Sequence, residues 1–324
     1  MNRALGRLLL ACLSLTGAGT ACAQDVVRLG NLRFAHYGAV SYMQEICPKH
    51  GLRIEERLFA KGADIMPAVV AGQIDVAALA ADGAIAARAN NVPIYAVAGF
   101  AKGGARIVVR ADAGIRSLKD LKGRRVGVTR GGGHELLLYA ELEKAGLSWS
   151  EKGLAQVTIV FLPYEELNGA LADGRIDAMS QSEPQSAQAI NKKIGVELLK
   201  PYDTAVGEPR RLLVMTEKFY ARRPLAEKLL RCFVEATAAF NNDPALAERY
   251  VREQLFKGAL SAQDYRDAMA NADYTVDVTP EYIDATTRLM QRYGVGRMSR
   301  PPKAAEWVKL DLLARAKAEA KSGP

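Results

Sequence analysis

The residues best equipped for chemistry lie in one run, Thr129-Arg130-Gly131-Gly132-Gly133-His134. Its three glycines stand between a short apolar stretch (125–128) and a helical one (134–145), so backbone N–H groups can approach a ligand. The helix that follows would add partial positive charge at its N-terminus. Arg130 and His134 would strengthen such a site for an anion; the competing reading is a plain flexible turn. No Lys-Ser/Thr follows, so this is not a nucleotide-type phosphate loop. Phe34, His36 and Tyr37 form a second set, able to wall a pocket with rings and hydrogen bonds or simply to pack beneath a loop. Asp82, directly after Ala81, could meet a ligand amine, but capping the helical stretch 84–89 is the stronger reading. Phe100 is expected at the cleft or the hinge, and Gln181 and Glu183 in the loop 181–184. A glutamate facing an anion is unfavourable, so Glu183 would orient Arg130 or meet a hydroxyl or amine. The histidines and cysteines show no metal-site spacing and no Ser/His/Asp or Cys/His constellation stands out, so neither catalysis, metal nor cofactor is expected.

The elements that must position these residues repeat. Gly72-Gln73-Ile74-Asp75-Val76-Ala77 returns as Gly174-Arg175-Ile176-Asp177-Ala178-Met179. Before the first copy come a strand (26–30), a loop (31–38), a helix (39–50) closed by Gly51-Leu52, and a strand (53–59). Before the second come a strand (125–128), a loop (129–133), a helix (134–145) closed by Gly146-Leu147, and a strand (157–162). The Gly-Leu pairs stand where a left-handed glycine ends a helix. Strands alternating with helices imply parallel sheets covered on both faces, here two α/β lobes with a cleft between them. Ligands of such sheets sit beyond the carboxyl ends of the strands. That rule selects the loops 31–38, 60–62, 80–83, 99–104, 129–134, 163–165 and 181–184, and it leaves Asp75 and Asp177, at strand starts, as structural.

Strands 106–110 and 211–215 are candidates for the crossings between lobes. Ser117 reads as an N-cap with Asp120 in the first turn. Beyond Thr216 the pattern is helical: 226–240 after Pro224, 244–255, 261–270, 280–293 with Thr279 as N-cap and Pro280 at the first helical position, and 304–320. Without a recurring strand, this block should cap the first lobe. The expected division is therefore a leader (1–23), a first lobe (24–110 and 211–324) and a second lobe (111–210).

The chain has 324 residues, 49% of them hydrophobic and 7% aromatic, which suits a packed protein and argues against disorder. Its first 23 residues differ in kind: Arg3 and Arg7, an apolar run 8–15, then Ala21-Cys22-Ala23 before Gln24. This is the pattern of a secretory signal peptide. Cys22 lacks the leucine expected three positions ahead, so a free periplasmic protein is favoured over a lipid-anchored one. The formal charge is +8, of which the leader supplies two. The basic residues are scattered without interleaved aromatics, against nucleic acid. Cys47 and Cys232 remain after the leader; both lie in apolar helical stretches, which favours two buried thiols over a disulfide.

The leader, the paired G-x-I-D units, Ser117-Leu-Lys-Asp-Leu-Lys-Gly-Arg-Arg-Val-Gly-Val128 and Asp177-Ala-Met-Ser-Gln-Ser-Glu-Pro184 together resemble the substrate-binding proteins of bacterial ABC importers. The likeness is to the branch for nitrate, taurine, aliphatic sulfonates and thiamine precursors, and it runs from about Val26 to Asn242. The resemblance implies the type II periplasmic binding fold: two α/β lobes joined by two crossing strands, closing on ligand like a hinged clamp. It implies a monomer that captures a small organic anion, a sulfonate or carboxylate, and delivers it to an inner-membrane permease. A module serving a membrane sensor, or a pyrimidine-binding protein, is the alternative. An iron-using pyrimidine synthase of the same superfamily carries a cysteine-rich motif that is missing here, which argues against an enzyme.

Overall fold

The computed structural model describes residues 24–298 and 300–322. The leader, with Cys12 and Cys22, lies outside them. Among the described residues, twelve strands form two six-stranded sheets. The first contains β1 (Asp25–Leu32), β2 (Leu52–Phe59), β3 (Val76–Ala80), β4 (Ile94–Gly103), β11 (Arg210–Thr216) and β12 (Ala272–Tyr274). The second contains β5 (Ala105–Arg110), β6 (Arg125–Val128), β7 (Trp149–Ser150), β8 (Val157–Phe161), β9 (Ala178–Ser182) and β10 (Gly195–Leu199). Their orders are β12-β4-β11-β3-β1-β2 and β10-β5-β9-β6-β8-β7. A parallel run, β2-β1-β3 in the first sheet and β7-β8-β6-β9 in the second, is followed in each by an antiparallel strand: β11 against β3, β5 against β9. The two lobes expected from the repeat are present. Ala105–Arg110, however, pairs with β9 and β10, so it belongs to the second sheet and not, as expected, to the first lobe.

The repeated G-x-I-D has the same job in both lobes. Asp75 holds Arg28 of β1 through Nε (2.8 Å) and Nη2 (2.6 Å), and the arginine also reaches the Gly72 carbonyl (2.5 Å). Asp177 holds Arg125 of β6 (both contacts 3.2 Å), which reaches the Gly174 carbonyl (2.8 Å). Two residues along each strand is a glycine with no room for a side chain. A Cβ at Gly30 would lie 2.7 Å from Ile65, and one at Gly127 would lie 2.5 Å from Ile176, the isoleucine of the repeat itself. The motif thus clamps the first strand of each lobe from its far end, and both aspartates are structural.

Helices fit their sequence signals, with exceptions that have local causes. Thr279 caps the helix Pro280–Tyr293 by accepting from the Tyr282 N–H, and Ser117 with Asp120 forms a capping box. Residues 39–50 are not one helix. They break into short turns, Gly38–Ser41 and Met43–Ile46, followed by a 3-10 turn Cys47–His50 that contains Pro48. The C-terminal block is not wholly helical: Ala272–Tyr274 adds an edge strand to β4. Cys47 and Cys232 are joined by a disulfide, contrary to the expectation of free thiols. Both are fully buried, and helical packing of Arg223–Asn242 against the Cys47 turn brings their Cα atoms to 5.2 Å.

Candidate functional site

The strand ends of both lobes meet at an enclosed cavity of about 50 Å³. Phe34, Tyr37 and Ala80 of the first lobe line it, with Thr129, Gly131, Gly132, His134 and Tyr164 of the second. The glycine loop is there because nothing larger fits. A Cβ at Gly132 would lie 2.6 Å from the Tyr164 hydroxyl, and one at Gly133 would lie 3.0 Å from Asp82 Oδ1, across the cleft. Two buried polar residues of β9 set the loops around it. Ser180 donates to the His134 carbonyl (3.0 Å), and Gln181 donates from Nε2 to the Tyr164 carbonyl (3.0 Å). Gln181, expected to touch ligand, is instead a brace behind Tyr164.

The charge in the cavity comes from a residue the sequence argument passed over. Arg211 is 2% exposed, lines the cavity, and its Nη1 has no hydrogen-bond partner. Leaving a buried guanidinium N–H unmet is unfavourable, so this atom is poised for an acceptor. Arg211 sits opposite Ala80, the last residue of β3. Because β11 runs antiparallel, its first residues, not its last, stand at the ligand end of the sheet. The rule of carboxyl ends is a rule for parallel strands, and it could not find Arg211. The direction of β11, had it been read, would have.

Asp82 completes the polar set. The helix Ala81–Ala89 is capped at Ala80, so Asp82 is a first-turn residue and not the N-cap expected. It is 3% exposed with Oδ2 unpartnered. Burial pushes its carboxyl up to about 6, against the pull of the Arg211 charge and of backbone N–H groups. His134 accepts or donates at Nδ1 with the Tyr164 hydroxyl (3.0 Å), and Nε2 is unpartnered. Burial, and then Arg211, pull His134 down to about 3, so its ring is neutral at ordinary pH.

Other expected site residues hold different partners from those expected. Arg130 lines the cavity, but its guanidinium is engaged there: it forms a two-pronged pair with Glu151 (2.9 and 2.6 Å) and stacks 3.6 Å above Phe161. The anion-binding capacity of the glycine loop is partly met from within, since the Gly131 N–H donates to Glu135 (2.6 Å). Thr129 lines the cavity while its hydroxyl donates to the Leu162 carbonyl (2.9 Å). Ala81 and Phe100 are core, Phe100 standing edge-on to Tyr37 at 4.6 Å. His36 is fully buried with both ring nitrogens unpartnered; it packs under the crossing, where Gly104 (φ 78°) leaves no room for a Cβ, and burial holds it well below the usual histidine range. Glu183 does not reach Arg130. It pairs with the buried Arg106 (2.6 Å), accepts from Asn271 (3.0 Å) and from the Ala187 N–H (3.1 Å), and so ties β5, β9 and the C-terminal block together.

Two lobes, each with a run of parallel strands and an antiparallel return, meeting at a small cavity, define a periplasmic binding protein of the type II fold. The chain belongs to the NMT1-like family, whose model matches residues 25–254. A putative ABC transporter periplasmic binding protein of Brachyspira hyodysenteriae is 24% identical over 268 residues, 74% of each chain. A putative binding protein of Brucella abortus is 31% identical over 144 residues, 43% of this chain and 41% of its own length. Among solved structures, the nitrate-binding protein NrtA of Synechocystis superposes with a TM-score of 0.76 at 16% identity, covering 93% of this chain and 90% of that one. The alkanesulfonate-binding protein SsuA of Xanthomonas axonopodis pv. citri, bound to MOPS, gives 0.73 at 17%, covering 88% and 98%. At these identities the likeness is one of fold.

Proposed function

We propose that this chain is the solute-binding component of an ABC import system. As a monomer in the periplasm it captures a small organic anion, a sulfonate or carboxylate, in the interlobe cavity and presents it to a membrane permease. The family, the Brachyspira relative and the fold support the class. One observation carries the ligand's charge: the buried, unsatisfied Arg211 guanidinium on the cavity wall. The hinge is assigned to the crossings 103–105 and 199–210, where the chain passes between sheets. The unpartnered Oδ2 of Asp82 favours a second reading, a zwitterion whose amine meets Asp82 while its acid meets Arg211.

The test is a thermal-shift screen across sulfonates, carboxylates, nitrate and pyrimidines, followed by calorimetry on two variants. A ligand at 100 times its Kd stabilises by about 2.7 kcal/mol. Arg211→Ala is expected to weaken binding by at least about thirtyfold, the loss typical when a buried charge loses its partner. Arg130→Ala, which removes a cavity-lining guanidinium already engaged by Glu151 and Phe161, is expected to change affinity by less than about threefold. A screen in which only neutral or cationic compounds raise the melting temperature, or an Arg211→Ala protein that binds as before, defeats the reading.

A further inference from the structure

The basic residues are scattered along the chain, yet the fold gathers many of them at one end of one lobe. This is the far end of the second lobe, opposite the cavity, where β6, β8 and β9 begin. Three connections meet there: 111–124 between β5 and β6, 173–177 before β9, and 192–194 before β10. With the strand ends Arg110 and Arg125 they hold nine cations and four carboxylates, so positive charge prevails. Strand order lays four of the cations along the edge of the sheet: Lys193 before β10, Arg110 ending β5, Arg175 before β9 and Arg125 opening β6. At the spacing of neighbouring strands this row spans about 15 Å. The carboxylates are all engaged: Asp112 with Arg110 (2.7 Å), Asp177 with Arg125 (3.2 Å), Asp173 with Arg175 (3.9 Å), and Asp120 in its capping box. Lys119, Lys122, Lys192 and Lys193 are exposed and hold no ion pair among the described residues.

The first lobe, built on the same plan, differs. At its far end Arg28, Lys49, Arg53, Arg88, Arg222 and Arg223 each hold a carboxylate. Helix C-termini explain part of the second lobe's excess, since Arg125 also meets the Gly174 carbonyl (2.8 Å). They do not explain Lys119 and Lys122, which lie in and just after a four-residue 3-10 turn. We propose that this end of the second lobe is a docking surface for an anionic phospholipid bilayer. Its unpaired cations are lysines, flexible point charges carried on separate loops with no aromatic among them. They suit a diffuse field of negative headgroups; the fixed carboxylates of a folded partner are better matched by arginine forks. The surface is remote from the cavity, so docking is independent of the ligand. In the import reading it keeps the protein near the bilayer that houses the permease.

Vesicle co-sedimentation tests this on the disulfide-bonded chain from Gln24 onward, so that the apolar run 8–15 cannot itself seek lipid. The probes are vesicles of phosphatidylcholine alone and of phosphatidylcholine mixed with phosphatidylglycerol. The protein should bind only the mixed vesicles, and less as added salt shortens the Debye length. Reversing Lys119 and Lys122 together to Glu, or Lys192 and Lys193 together to Glu, should each weaken that binding at least about tenfold. The pair Lys218→Glu and Arg222→Glu, at the far end of the first lobe, makes the same change in net charge and should leave binding within about twofold. Melting temperatures establish that every variant is folded. Equal losses in all three variants, equal binding to neutral vesicles, or no binding to mixed ones at low salt overturns the proposal. So does capture of polyglutamate at a salt concentration that releases the vesicles, which would make an acidic protein surface the partner.

Discussion

At the scale of single residues, the cavity's buried charge is Arg211, beside the more exposed Lys61 and Arg130, and one nearby carboxyl titrates in the working range. His134, held at about 3, stays neutral. Asp82, raised to about 6 chiefly by burial, changes charge between mildly acidic and neutral pH, with Arg211, Glu135, Tyr37 and Tyr164 around it. The sign of its effect on binding follows. A purely anionic ligand prefers a protonated Asp82, so binding takes up protons, and affinity should fall as pH rises through about 6, by at most about tenfold per unit. A zwitterion with its amine on Asp82 should bind more tightly over the same rise. Isothermal titration at about pH 5 and pH 7.5, with Asp82→Asn as the flat control, separates the two. An unchanged affinity in both proteins removes Asp82 from the site.

At the scale of elements, the C-terminal block does more than cover the first lobe. The helix Pro280–Tyr293 reaches the second lobe, where Arg292 and the Tyr293 hydroxyl both meet Glu143 at 2.6 Å, and the Tyr293 ring stands 6.0 Å from that of Trp149. Glu143 lies on the helix Gly133–Lys144, whose N-cap, Gly132, lines the cavity. These contacts tie the lobes far from the ligand, so Tyr293→Ala should raise Kd severalfold through a smaller closed population. Small-angle scattering of the ligand-free variant should show a larger radius of gyration; unchanged scattering and affinity would mean the contact is incidental. Much of this architecture was legible. The G-x-I-D repeat located the parallel strands of both lobes, and the glycine loop did prove to line the cavity. What escaped depended on strand direction and on long-range partners. Arg211 enters from an antiparallel strand, Arg130 finds Glu151, and Glu183 finds Arg106. Spacing along the chain carries no information about any of these pairings.

At the scale of the whole molecule, the disulfide fastens the longest helix among the described residues, Arg223–Asn242, to the turn Cys47–His50 near the start of the first lobe. The bridged cysteines are 185 residues apart in sequence, and the second lobe lies between them. Closing so long a loop restricts the unfolded chain strongly, and removal of such a bridge costs about 2–5 kcal/mol. Paired Cys47→Ser and Cys232→Ser substitutions should therefore lower the urea midpoint without altering affinity, since neither sulfur lines the cavity. A midpoint that stays put would show the bridge to be energetically idle. The strand order has a consequence of its own for how the molecule comes into being. β11 lies between β3 and β4, yet it is made only after the entire second lobe. A nascent chain that has reached the first crossing holds the three strands β2-β1-β3 and a lone β4, with a vacant slot between them. The strand that fills the slot also delivers Arg211, so the gap in the first sheet closes and the cavity acquires its buried charge in the same late step. A circular permutant opened at the first crossing and joined through the native ends would instead place β11 and the strands flanking it on one unbroken stretch, and the order of events would reverse.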